Sequence, residues 1–546
     1  MSLPPTRMRS APRRVLIIGL DGATFRLLEP WAHEGDLPVL ADFMRRGTYG
    51  DLRSTFPPLT PPAWSSFMTG KNPGKHGVYS FRETAVARYE SGPLVSAKLL
   101  QSRTLWEIVG EAGLPVGAVN VPPSYPVQPV NGFMVACMFA PPGDPRVIYP
   151  PTDQPLLGAD YVINVKPPAN LRIGDAGYGE RALDYLRSLR ASAERRLALT
   201  TALMDRHPWA LLSVVFYEPD RVQHFFWDYL VGRPPAGISE ALAREITGLA
   251  RDVYRTLDRA TGALVAAAGP EAITLIVSDH GFGPGPERVL HVNHWLAQAG
   301  LLARHRSWRL RRWLVKQLPR KYKQRWKTVE NVLVDFARSV AWCEVMETRS
   351  AGVWLNVRGR QPRGWIEPGA DYERWRSELL SRLGGLAANG EPVFARVARR
   401  EDVYHGPATA LAPDILLEAA PRYGFTFGLR SELKSERFTA PFDGAGYRGA
   451  HDPAGIFLAV GPGIAARGRI GEAPIEAVAP TTLCLLGLGV PAGMDAPPLL
   501  DILTPQARAA TTVEIVEDLA PSRGACDVDE DQSLVEEQLR ALGYLE

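Results

Sequence analysis

Short apolar runs alternate along this chain with longer stretches in which apolar residues recur every three or four positions. RVLIIGL at 14–20, VGAVNV at 116–121, ALLSVVFY at 210–217, ITLIVS at 273–278 and GIFLAVG at 455–461 read as buried strands. Residues 181–206, rich in Ala, Leu and Arg, and 239–267 read as helices. Strands apolar throughout, separated by helical stretches, predict a mostly parallel sheet covered on both faces. The expected fold class is α/β, a three-layer α/β/α sandwich, and no internal repeat breaks the pattern.

The pattern lapses between His280 and His451. About 170 residues are too many for a loop in a compact domain, so an inserted substructure is expected. Its first part, 301–329, holds eleven Lys or Arg and no acid. Leu310, Trp313, Leu314 and Leu318 give it an apolar stripe at helical spacing. Such a basic amphipathic helix is ordinarily a solvated face packed on a core; the sharper alternative is a surface for anionic lipid or a large anionic substrate. The second part runs through GVWLNVRGRQPRGWIEPGADYERWRSELLSRL, and Tyr404, His405 and Asp414 in or near it are taken as structural.

Past VPAGMDAPPLLDIL the core is expected to end. The acidic VEIVEDLAPSRGACDVDEDQ reads as a linker, and SLVEEQLRALGYLE as a terminal helix docking through Leu539, Leu542 and Tyr544. The expected division is thus an α/β core at 12–300 and 415–505, an inserted basic helix and cap at 301–414, and a linker and helix at 506–546.

Composition narrows the function classes. The 546 residues carry 62 Lys and Arg against 59 Asp and Glu, a net charge of +3, so specific binding to nucleic acid is not expected. Cys137, Cys343, Cys484 and Cys526 form no CxxC pair, which argues against a disulfide scaffold or thiolate zinc site and for a reducing compartment. No run reaches the ~18 apolar residues of a membrane span, and the basic N-terminus is followed by too short an apolar run for a signal peptide. A cytoplasmic protein is expected; the sequence carries no signal for oligomeric state.

In open α/β sheets, ligands collect beyond the carboxyl ends of strands. Here those positions hold Asp21 after VLIIGL, EPDRVQH after LLSVVFY, and Asp279 and His280 after ITLIVS, while His451 precedes GIFLAVG. Asp220 and His224, four residues apart, share one face if DRVQH is helical. Asp279 and His280 can reach one site only where the chain leaves regular alternation, as at DHGFG. Each feature alone is ordinarily structural. Together, three Asp and three His at several strand ends form a donor set suited to zinc or manganese, and the count fits two ions better than one.

One hydroxyl joins them. In TPPAW the prolines announce a helix start, which makes Thr60 the expected N-cap and Ala63 the first free backbone donor.

The stretches LIIGLDGA, PPLTPPAWSSFMTGKNPGKHGV, YEPDRVQHFFW, VSDHGFG and YRGAHDPAGIFLAVGPGI, in this order, resemble the alkaline phosphatase superfamily and, within it, the type I phosphodiesterase and nucleotide pyrophosphatase branch. The resemblance runs from near residue 14 to near 505. It implies an alkaline-phosphatase-like fold whose inserted substructure caps the site, and two divalent metal ions, zinc first and manganese second. Asp220, His224 and His451 match the ligands of one ion; Asp21, Asp279, His280 and the Thr60 oxygen match those of the other. Thr60 matches the family's nucleophile, nine residues before the Thr69-Gly70 pair. His76 lies in a matching segment and is taken as structural.

The implied activity is hydrolysis of small-molecule phosphate esters, diesters first, through a phosphothreonine intermediate. A phosphomonoesterase, phosphonate hydrolase or phosphotransferase on the same site is the alternative within the class; a metal-binding pseudoenzyme or scaffold is the alternative outside it. Two other classes fail on their motifs. A haloacid-dehalogenase-type phosphatase needs a second Asp where the chain has Ala23, and GLDGAT is not the G-x-G-x-x-G of a dinucleotide site.

Overall fold

The computed structural model describes residues 14–84, 89, 92–141, 143–158, 161–168, 171–305, 334–425, 437–442, 446–521 and 533–541. The chain packs as two units, one of residues 1–72, 96–283 and 446–542, the other of 73–95, 284–445 and 543–546. These bounds lie elsewhere than the expected 301–414 insertion: the second unit takes in an early segment and starts before residue 301.

The first unit is built on strands β1 (Arg14–Leu20), β2 (Thr48–Arg53), β3 (Val116–Val119), β4 (Gly132–Val135), β5 (Ile148–Tyr149), β6 (Leu211–Phe216) and β7 (Ala272–Val277), with Ala454–Val460. The spatial order is β2, Ala454–Val460, β7, β1, β6, β3, β4, β5. The run from β7 to β4 is parallel throughout; Ala454–Val460 runs against both neighbours, and β5 runs against β4. The five expected strands are present within two residues of their expected bounds. The expected helices run Tyr178–Arg206 and Glu240–Ala268.

Alternation along β1 shows why both faces must be covered. Leu16, Ile18 and Leu20 join one core with Leu186, Leu189 and Leu203 of Tyr178–Arg206 and Ile246, Val253 and Leu257 of Glu240–Ala268. Gly19 faces the other way, against the Trp64 indole of the helix Thr60–Thr69. The result is the expected three-layer sandwich. Register then positions the site. Gly19 lies beside Val215 and Val277, and Leu20 beside Phe216, so the chain leaves the sheet at one level at Asp21 and Tyr217, and one residue earlier at Ser278, which puts Asp279 level with Asp21.

Part of the expected linker is packed instead. Ile515–Val516 pairs in parallel with Val490–Pro491, and Asp518 forms an ion pair with Lys71 at 2.7 Å. In the terminal helix Ser533–Ala541, Val535 and Leu539 are buried; Leu542 and Tyr544 lie outside the described residues.

The second unit carries a four-stranded antiparallel sheet in the order Ala341–Glu347, Ser350–Leu355, Ile415–Ala419, Phe394–Arg399. The helix Ala370–Gly384 packs Leu379 and Leu383 into its core. Asp414 is a structural hub there: it accepts from Leu355 N at 2.7 Å, Arg360 Nη1 at 2.7 Å and Tyr372 Oη at 2.8 Å. Tyr79 Oη donates to Ala408 O at 2.8 Å, and its ring packs edge-on against Tyr404 at 5.0 Å, which explains why the early segment belongs to this unit. His76 is buried and accepts from Val78 N at 3.2 Å. Most of the basic stretch 301–329, with its apolar stripe, lies outside the described residues. No described helix is long and apolar enough to cross a membrane.

Candidate metal centre

Asp21 follows β1 directly, its backbone N–H held by Phe216 O at 2.9 Å. The next residue must be small and left-handed. Gly22 has φ +70°, and a Cβ there would stand 3.1 Å from the Asp220 Cα. The Gly22 N–H donates to Asp279 Oδ1 at 3.1 Å, and Gln223 Nε2 donates to Gly22 O at 2.7 Å, tying the three strand ends together.

Asp220 and His224 lie on the helix Glu218–Leu230, one turn apart, with His224 Nε2 3.3 Å from Asp220 Oδ1. His451 lies in the short strand Gly449–Asp452, paired with Gly281–Pro284. Its Nε2 is 3.3 Å from Asp220 Oδ1 and 3.1 Å from His224 Nε2. His280 sits where the chain turns between β7 and Gly281–Pro284, as the broken alternation at DHGFG predicts, and its ring stacks on that of His451 at 3.9 Å. His280 Nε2 is 3.3 Å from Asp279 Oδ2 and 3.8 Å from Asp21 Oδ1.

Two imidazoles have their tautomer set by backbone. His451 Nδ1 is 2.9 Å from Pro58 O and His280 Nδ1 is 3.1 Å from Gly281 O. A carbonyl can only accept, so each Nδ1 donates and each Nε2 turns a lone pair to the cluster, the arrangement that a hydrogen bond on the far nitrogen gives metal-binding histidines.

Thr60 differs in detail from expectation. Leu59 is the N-cap, and Thr60 is the first helical residue. The prolines therefore occupy the second and third positions, and Ala63 N–H is spent on Leu59 O at 3.0 Å, so it is not the free donor expected. Thr60 Oγ1 is fully buried with no hydrogen-bond partner among the described residues. Its segment touches the cluster on both sides: Pro58 O receives His451, and Trp64 Nε1 donates to Asp21 Oδ2 at 3.1 Å.

Ligand atoms fall into two groups, each within 4.8 Å: Asp220, His224 and His451, and Asp21, Asp220 and His280. The first is the expected triad. The second replaces Asp279 with Asp220, which belongs to both, while Asp279 stands beside His280 with one oxygen taken by Gly22 N–H.

The electrostatics show what this cluster suits. Burial, and then the neighbouring Asp220, pushes the Asp21 carboxyl up to about 8. Burial and Asp21 together push Asp279 well above the carboxylate range. Burial works against Asp220 too, but His224 and Arg221 hold it well below that range. Burial, reinforced by His451, pushes His280 well below the usual imidazole value, so its ring is neutral. Buried carboxylates crowded by one another and faced by neutral imidazole lone pairs form a cradle for cations. Asp21 Oδ1 and Thr60 Oγ1, both buried without hydrogen bonds among the described residues, fit that reading. All seven sequence-derived positions lie in the first unit.

Sequence reasoning missed four residues that shape the cluster: Trp64, Arg221, Gln223 and Phe282. Phe282 packs edge-on against His224 at 4.8 Å and His451 at 5.1 Å. The signal for the polar ones was their place: Arg221 and Gln223 stand between Asp220 and His224, and both are buried with the rest of that helix turn.

A profile of type I phosphodiesterases / nucleotide pyrophosphatases matches residues 15–445. No curated protein sequence matches the chain. Among solved structures, human ectonucleotide pyrophosphatase / phosphodiesterase 5 aligns with 90% of this chain and 100% of its own at 13% identity and a TM-score of 0.48. Phosphonoacetate hydrolase from Sinorhizobium meliloti, in complex with phosphonoformate, aligns with 82% of this chain and 90% of its own at 16% identity and a TM-score of 0.49.

Proposed function

The chain belongs to the type I phosphodiesterase / nucleotide pyrophosphatase family of the alkaline phosphatase superfamily, hydrolases of phosphoester bonds, and from that premise we propose that it hydrolyses small-molecule phosphodiesters with Thr60 as nucleophile. The observation that carries this reading is the Thr60 hydroxyl. It is buried without a hydrogen-bond partner among the described residues, at the first position of a helix whose Trp64 and preceding Pro58 bind members of the Asp/His cluster.

Asp220, His224 and His451 would hold one divalent ion, and Asp21, His280 and Asp279 the other, with Asp220 adjacent to both groups; zinc would suit the nitrogen and oxygen donors, and manganese is the alternative. Bound there, two ions would lower the pKa of the Thr60 hydroxyl and neutralise charge at the attacking and leaving oxygens. The remaining work falls to the chain. The helix beginning at Thr60 fixes Oγ for in-line attack on phosphorus; the new bond forms as the first alcohol leaves with its electron pair and takes up a proton. Water then attacks the Thr60 phosphoester, and the threonine oxygen departs. Phe282 and the buried site walls keep bulk water away from His224 and His451.

Charge balance supports a diester. Three carboxylates and the buried Arg221 sum to −2; two dications bring this to +2, and a Thr60 alkoxide to +1. A phosphodiester monoanion completes neutrality, whereas a monoester dianion leaves a buried excess negative charge. Cys137, Cys343 and Cys484 are buried free thiols, which supports a reducing compartment, the cytoplasm.

The test compares bis(4-nitrophenyl) phosphate with 4-nitrophenyl phosphate, using zinc-loaded protein, chelated protein and Thr60→Ala. Diester turnover lost on both chelation and substitution is the expected result. Metal binding with no turnover above the Thr60→Ala background on either ester would overturn the esterase reading in favour of a scaffold.

A further inference from the structure

Asp220 is followed by an arginine that enters the reaction above only through its charge. Arg221 is 1% exposed, so solvent does not hold its charge. Adjacent positions on a helix do not face each other. Yet Arg221 Nη1 turns back to donate to Asp220 Oδ2, while Nε donates to Asn164 Oδ1 at 3.3 Å and Nη2 reaches Met138 Sδ at 3.8 Å. The other Asp220 oxygen, Oδ1, is the one that lies 3.3 Å from both His224 Nε2 and His451 Nε2.

We propose that Arg221 is a positioning residue for the metal centre: it occupies Asp220 Oδ2, so that the carboxylate shared by both ligand groups presents Oδ1 in one fixed orientation. The inference rests on the metal-ligand reading of Asp220. Arginine suits this place better than lysine because its planar fork bonds Asp220 and Asn164 at once, whereas an ammonium is a single point charge on a flexible stem. It also places one fixed positive charge behind a cluster of three acids, limiting their mutual repulsion in the metal-free protein.

The test is zinc affinity, measured on the full metal-free chain by competition with a chromophoric chelator, with circular dichroism to monitor folding. Arg221→Gln should weaken zinc binding by about 10–100-fold, the range typical of outer-shell partners, and Arg221→Lys by less. Asn164→Ala, which frees the guanidinium on one side and leaves Asp220 and the charge untouched, should weaken it by a smaller factor of about 3–10. Folded Arg221→Gln with zinc affinity within about twofold of wild type overturns the proposal. Should Arg221→Gln not fold, unchanged affinity in Asn164→Ala does the same. Asp220→Asn separates the two levels of argument: if it binds zinc like wild type, the metal-ligand reading itself fails, and if it alone loses zinc, only the role of Arg221 fails.

Discussion

Adding one methyl group at Gly19 should damage both the fold and the site. Gly19 lies in the middle of the parallel sheet, and a Cβ there would stand 2.5 Å from Trp64 Cη2 and 2.9 Å from Val215 Cγ2. Ordinary contact begins near 3.4 Å, so the indole must retreat by about 0.9 Å, the difference between 3.4 and 2.5. Trp64 is fully buried, with Phe67 packed edge-on at 5.1 Å, and has no slack. Overpacking of this kind costs about 1–3 kcal/mol. The same retreat carries Trp64 Nε1 away from Asp21 Oδ2, now 3.1 Å distant, to about 4 Å, where the hydrogen bond no longer holds. The Asp21 carboxyl, pushed up to about 8, is largely protonated at neutral pH, so this bond is worth about 0.5–1.5 kcal/mol and the combined loss should lie between about 1.5 and 4.5 kcal/mol. Because Asp21 then loses its fixed orientation, diester turnover should fall by about a hundredfold. Urea unfolding followed by far-ultraviolet circular dichroism reads the first effect, and turnover the second; Trp64→Phe, which removes the N–H without overpacking, should show the second with less of the first. A Gly19→Ala protein within about 0.5 kcal/mol of wild type and fully active would refute the chain of reasoning from sheet packing to Asp21.

The buried Arg196–Glu218 pair, 2.7 Å apart with side chains 1% and 2% exposed, should behave asymmetrically. Arg196→Met leaves Glu218 as an unpaired buried charge and should cost about 3–5 kcal/mol in urea unfolding, whereas Arg196→Met with Glu218→Gln should recover much of that loss; equal losses would contradict it. Asp258 accepts from Val39 N at 3.0 Å and Leu40 N at 2.9 Å, and burial raises its carboxyl above the ordinary range despite those bonds. Its native form therefore holds a proton more tightly than the unfolded chain, so its contribution is present below the unfolded value and is lost as pH rises through the raised native one. Wild-type stability minus that of Asp258→Asn should accordingly fall with rising pH, and a flat difference would show that the shift is not real.

The sequence was most legible where one strand carries its own signal. β1, β6 and β7 are apolar at nearly every position, as strands buried on both faces must be, and the acids and histidines that follow them mark the site. β2 was missed because TYGDLR alternates small and polar residues: it lies near the sheet edge, where only Thr48, Gly50 and Leu52 are buried. Helix caps depend on geometry finer than residue type. Thr60 has the composition of an N-cap, but the chain enters the helix one residue earlier, at Leu59, and this turns the hydroxyl from a cap into a group with no hydrogen-bond partner among the described residues. The placement of residues 73–95 with 284–445 could not be read locally, because it depends on pairings such as Tyr79 with Ala408, separated by 329 positions. Likewise, the family resemblance implied two separate ligand sets, Asp220, His224 and His451 for one ion and Asp21, Asp279, His280 and the Thr60 oxygen for the other, whereas packing brings Asp220 within reach of both groups.

The central claim is that Thr60 attacks phosphorus, and the most direct measurement is acid quenching of the zinc-loaded protein during turnover of bis(4-nitrophenyl) phosphate, followed by peptide mass spectrometry. The account predicts a phosphoryl-ester adduct on the peptide containing Thr60, formed and lost at rates matching turnover, and neither adduct nor turnover in Thr60→Ala. Steady turnover in wild type with no adduct at Thr60, together with undiminished activity in Thr60→Ala, would contradict it.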